Sequence, residues 1–200
     1  MSDDVYRKLA RVLDTLPNGF PSTESGVEIR ILKWIFEPEE AELFCDLRLN
    51  FETAQQISER TGRPLEGLEE KLIRMGERGE ILAANMGGTH VFKMVPYAIG
   101  IYEFTSGRMD QELARLNEEY LPEFLPGLLG NSPPLVQTIP IEEELSAPQE
   151  ALPHQRVSKL LESCHSFKVS ECHCKKEKGL LDKPCDRPVE VCLAMAPIPN

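Results

Sequence analysis

Four thiols dominate the chemistry open to this sequence. Cys172, Cys174, Cys185 and Cys192 stand at C-x-C-x10-C-x6-C near the end of a 200-residue chain. Thiolates are soft ligands, and four of them fit three outcomes: an iron-sulfur cluster, a tetrahedral structural zinc, or buried thiols that hold nothing. Cysteines at i and i+2 of an extended strand lie ~6.6 Å apart at their alpha carbons, wider than the C-x2-C turns usual around structural zinc. A bulky cluster accommodates the wider pair more easily. The pattern is not the C-x2-C-x2-C-x3-C-P run of bacterial ferredoxins, so spacing leaves all three outcomes open.

The surroundings add to this. From Lys168 to Glu190 six basic residues face five acidic ones, inside a chain of net charge -11. A cluster bound by four thiolates is anionic, and Lys175, Lys176, Lys178 and Arg187 are placed to compensate it. Other candidates are weaker. Cys45, between Phe44 and Asp46 on a helix, reads as core, and Cys164 beside His165 as a spare thiol with no third group to orient a catalytic pair. His90 and His154 have no ligand spacing to a second His, and Glu142, Glu143 and Glu144 read as a solvated run. No dinucleotide fingerprint, phosphate loop, nucleophile elbow or H-E-x-x-H is present, so catalysis by this chain itself is not expected.

The elements that must position these residues are mainly helical. Periodicity predicts a helix over about Asp4 to Asp14, one carrying Val27, Ile31, Trp34 and Ile35, and another starting at Pro38. A fourth pattern opens at Phe51-Glu52-Thr53 and closes at Gly62, and a fifth starts at Pro64 with Leu65, Leu68, Leu72 and Met75 inward. Strands around Ile81 to Ala83 and His90 to Val95 flank Asn85-Met86-Gly87-Gly88, a hairpin turn. Helices followed by a hairpin give the order of a winged helix-turn-helix domain. A further helix is expected over Arg108 to Tyr120, either a dimer arm or a strut. From Leu121 to Pro153 lie seven of the sixteen prolines, which predicts an acidic connector over the surface, with Leu135 to Ile141 docked. A helix over Pro153 to Ser163 then leads into the cysteines. The expected division is 1-25 N-terminal helix and loop, 26-107 winged helix, 108-153 helix and connector, and 154-200 cysteine-rich segment.

Three stretches carry a resemblance: FEPEEAELFCDLRLNFETAQQISERTGR within Thr23 to Arg63, GGTHVFKMVPYAIGIYEF from Gly87 to Phe104, and ECHCKKEKGLLDKPCDRPVEVCLAMAP from Glu171 to Pro197. In these the chain resembles the winged-helix-plus-iron-sulfur proteins of anaerobes, described as 4Fe-4S binding domain proteins. The resemblance implies a 4Fe-4S cluster, electron transfer, and Cys172, Cys174, Cys185 and Cys192 as the matching cysteines. Cys164 and His173 lie outside the pattern. Members continue through further ferredoxin motifs, whereas this sequence stops at Asn200, so the resemblance also implies an N-terminal part.

Composition narrows the partners. The negative charge and a pI near 4.9 disfavour nonspecific polyanion binding. A redox- or zinc-responsive regulator reading DNA with Leu65 to Arg78 is the alternative, but Glu66, Glu69, Glu70 and Glu77 outnumber Lys71, Arg74 and Arg78 there. Its basic patch would come from Arg60, Arg63 and Lys93. A redox partner protein or a second copy is the expected partner. No apolar run reaches membrane-span length, and a charged N-terminus predicts a cytoplasmic chain.

Overall fold

The computed structural model describes residues 2–130, 161–186 and 188–196. They form a mainly helical protein with two small antiparallel two-stranded sheets. Helix α1 spans Ser2–Asp14 and buries Tyr6, Leu9, Ala10 and Leu13, the stripe that 3.6-residue periodicity lays on one face. It packs against α2, Val27–Ile35, and α3, Pro38–Phe44. Proline at the first position of α3 loses no bond, and the Glu40 carboxylate accepts the Glu37 N–H at 2.9 Å. The Tyr6 hydroxyl donates to the Phe36 carbonyl at 2.9 Å and ties α1 to the end of α2.

Between α3 and α4, Ala54–Thr61, the chain is extended: Glu52 and Phe92 exchange backbone hydrogen bonds of 3.0 and 2.8 Å. Phe51 and Glu52 therefore lie outside the helix they were expected to open. The cap is Thr53, whose hydroxyl accepts the Gln56 N–H while the Gln56 side chain accepts the Thr53 N–H at 2.8 Å. Thr53→Ala is expected to cost about 1 kcal/mol in chemical denaturation, with no change in the folded spectrum. Helix α5 runs over Leu68–Glu77, so Pro64 does not start it, and Leu65 is 51% exposed instead of inward. Proline forces the preceding backbone out of the helical region, and Leu65 and Glu66 complete a turn first.

Strands β1, Leu82–Met86, and β2, Thr89–Lys93, pair from Leu82 with Lys93 to Met86 with Thr89. Gly87 and Gly88 both take positive φ, the two-residue turn that the strand twist favours.

After a kink at Tyr97–Ile101 come α6, Tyr102–Phe104, a single 3-10 turn, and α7, Gln111–Leu129. Asp110 caps α7 by accepting the Leu113 N–H at 2.9 Å. This helix starts later than Arg108 and outruns Tyr120 by nine residues, passing through Pro122 and Pro126. Both prolines are exposed, while Tyr120 and Phe124 pack with Phe20 and Tyr97 in an aromatic cluster. The first part of the expected connector is thus helix. Residues 131–160, with Leu135 to Ile141, Glu142 to Glu144, His154 and most of the Pro153 to Ser163 helix, lie outside the described residues.

A buried ionic knot joins these layers. The fully buried Glu80 forms an ion pair with Arg78 at 2.9 Å and accepts from Arg108 at 3.1 Å through the same oxygen, while its other oxygen has no partner. Arg108 also donates to the Ile35 carbonyl at 2.7 Å and lies 5.1 Å over the Trp34 ring. Arg78 reaches Glu40 at 3.1 Å.

Candidate functional site

The predicted ligands sit on a β-α-β unit: β3, Ser166–Glu171, α8, His173–Leu180, and β4, Glu190–Ala196, with β3 antiparallel to β4. Cys172 and Cys174 are not on an extended strand. β3 ends at Glu171, Cys172 is the cap of α8, and Cys174 lies in its first turn. The cause is tertiary: His173 and Glu177, one helical turn apart, are buried on the face toward the helical body. The Cys172 N–H donates to the Val189 carbonyl at 2.6 Å, and Cys192 pairs across the strands with Ser170. These three cysteines therefore share one end of the unit, and Cys185 is exposed in the segment between α8 and β4.

Sharing an end is not convergence. Among the described residues no group of three or more His, Cys, Asp or Glu side chains is arranged to hold a metal ion. The donor chemistry suits a cluster or zinc, but these positions do not fit a preformed cage. The Cys174 thiol is pushed up by burial first, then by Cys172, Glu177 and Glu103, so it favours the protonated form and is no activated nucleophile. Cys45 is half-buried against the core, its thiol pushed up to about 11 by desolvation.

The cations expected near the thiols have other engagements. Lys175 donates to the Pro188 carbonyl at 2.7 Å, Lys176 pairs with Glu171 at 3.2 Å, and Lys178 and Lys183 both pair with Glu118 on α7. The side chain of Arg187 lies outside the described residues. Two of the three cations of the expected basic patch are paired with carboxylates. Arg60 binds Glu52 at 2.6 Å, Arg63 binds Asp46 at 2.5 Å, and Lys93 lies 4.9 Å over the Phe51 ring. His90 pairs with Glu69 at 2.9 Å.

Sequence reasoning missed a second constellation. His173 is 5% exposed, neither ring nitrogen has a hydrogen-bond partner, and its ring meets Tyr102 edge-on with centroids 3.8 Å apart. Burial, then Lys176, drops it to about 4, so it is neutral near pH 7. The Tyr102 hydroxyl donates to Glu177 at 2.7 Å, and the Tyr97 hydroxyl donates to Asn117 at 2.7 Å. Burial raises Glu177, opposed by Tyr102 and Asn117. Tyr97, Tyr102, Asn117, Phe124, Cys174 and Glu177 are among the residues lining a cavity of about 300 Å³ between the kink, α7 and α8. The only sequence signal was the aromatic density of YAIGIYEF, because the lining comes from three distant segments.

Among the described residues no helix is long and apolar enough to cross a membrane. In comparisons with known proteins, the chain matches no family model, no curated protein and no solved structure.

Proposed function

We propose that this chain carries a thiolate-held 4Fe-4S centre on β3-α8-β4 and serves in electron transfer, with its helical body as a docking or dimerisation module. One observation carries the reading: four of the six cysteines lie in one small unit, three of them at the end where α8 begins. Binding requires the exposed segment with Cys185 to close toward Cys172, Cys174 and Cys192, so folding of this unit and metal uptake are coupled.

The helical body supports the finer reading of a winged helix. Two helices follow the extended Glu52, and a hairpin whose second strand pairs back to Glu52 follows them. Its charges favour a protein partner or a second copy over DNA. Lys71 is paired with Glu39, Arg78 is tied into the buried knot, and Arg60 and Arg63 are held by carboxylates, which leaves few cations for phosphate. The DNA-binding regulator with a structural zinc is the weaker reading.

The test is iron, sulfide and zinc content with a visible spectrum, on protein purified without oxygen. About four iron and four sulfide per chain are expected, with loss of both the iron and the colour in Cys172→Ser and Cys185→Ser. Zinc alone, or iron undiminished in both variants, would sink the proposal.

A further inference from the structure

The cavity beside α8 has a chemistry of its own that needs no metal. An apolar cavity of ~150 Å³ already admits benzene. At about 300 Å³ this one has room for one or two rings and a short side chain. Its walls are mostly aromatic and aliphatic, Tyr97, Tyr120 and Phe124 foremost, and its lining includes two carboxyls, Glu103 and Glu177, with no lysine or arginine among the described residues.

The polar groups are arranged asymmetrically. All three tyrosine hydroxyls have acceptors: Tyr97 donates to Asn117, Tyr102 to Glu177 and Tyr120 to the Pro21 carbonyl at 2.9 Å. The tyrosines therefore offer the cavity rings more than donors. Glu103 accepts the Gly100 N–H at 2.8 Å, which holds it at the kink. Asn117 is 6% exposed; its amide nitrogen makes no well-formed hydrogen bond, and the acceptor beside it is Glu177, whose carboxylate it stabilises. A buried donor poorly served by its own acceptor, in the wall of a cavity, leaves a hydrogen bond for water or a ligand to complete. Lys178 of α8, which also acts on Glu177, pairs with Glu118.

We propose that this cavity binds a small organic cation: an ammonium on a one- or two-ring body, with an acceptor atom beside it. Aromatic faces and carboxylates together attract an ammonium, and the acceptor meets Asn117. The same acidic lining repels carboxylate- and phosphate-bearing molecules of equal size. Cys174 lies in the wall, so the site adjoins the proposed metal segment without depending on it.

Titration calorimetry on the full chain tests this with phenylethanolamine, tyramine and tryptamine, and with phenyllactate as the anionic counterpart. At least one amine is expected to bind saturably at one per chain, with phenyllactate at least about tenfold weaker. Glu177→Gln keeps the acceptor for Tyr102 and removes the charge, and is expected to weaken the amine about tenfold or more with the melting temperature retained. Leu128→Trp, at a partly buried wall position, fills the space and abolishes binding. No saturable amine binding across the set, equal binding of phenyllactate, or full affinity in both variants overturns the proposal.

Discussion

Glu80→Ala is expected to lower stability by about 3 kcal/mol or more in chemical denaturation, a large share of the ~5–15 kcal/mol typical of a domain. The carboxyl is fully buried and pairs with both Arg78 and Arg108, which in turn hold Glu40 and the end of α2. Alanine leaves two guanidinium groups short of an acceptor and opens a cavity among them. Glu80→Gln separates shape from charge. Burial, then Glu40, pushes Glu80 from 4.5 up to about 8, against the pull of Arg78 and Arg108. Between those pH values the folded state binds the proton that the unfolded state has released. This group therefore makes stability fall as pH rises from about 4.5 to 8, by on the order of a few kcal/mol at most. In Glu80→Gln that part of the slope should vanish. A wild-type stability that rises through the window with the same slope in the Gln variant would refute the assignment.

Gly79→Ala is expected to be at least as severe, about 3–5 kcal/mol, for a different reason. Gly79 has φ +80°, and a Cβ there would stand 2.4 Å from the carbonyl carbon and oxygen of Phe104. The left-handed backbone alone costs a non-glycine residue ~1–2 kcal/mol, and the contact is with main chain, which cannot swing aside. Gly87→Ala is the internal control: φ is +62° and nothing lies within 4 Å of the added carbon. It should show the conformational cost alone, about 1–2 kcal/mol. Equal destabilisation by the two substitutions would mean that the approach of Phe104 to Gly79 does not matter.

The helices α1 to α3 and the first hairpin were legible because each is written in a local code. Tyr6, Leu9 and Leu13 repeat at the helical period, Pro38 marks a first turn, and Gly87-Gly88 marks a two-residue turn. The misreadings came where distant contacts overrule local signals. Pro122 and Pro126 read as breakers, yet Tyr120 and Phe124 hold α7 through them from the opposite face. Pro64 read as a helix start, but the turn it begins leaves Leu65 in solvent. The four thiols were legible by type and not by placement, since burial of His173 and Glu177 converts the segment after Glu171 from strand to helix. The cavity was illegible for a plainer reason: no periodicity links Tyr102, Asn117 and Glu177.

Glu118 and Glu119 are neighbours on one turn of α7, and they face different tasks. Glu119 pairs with Arg30 of α2, while Glu118 takes both Lys178 and Lys183 from the cysteine-bearing unit. All these groups are partly exposed, so dissolved ions screen them, with a Debye length of ~8 Å at physiological salt. The apolar core beneath α7 feels no such screening. Ionic strength therefore adjusts the grip on the thiol segment separately from the firmness of the body that carries it.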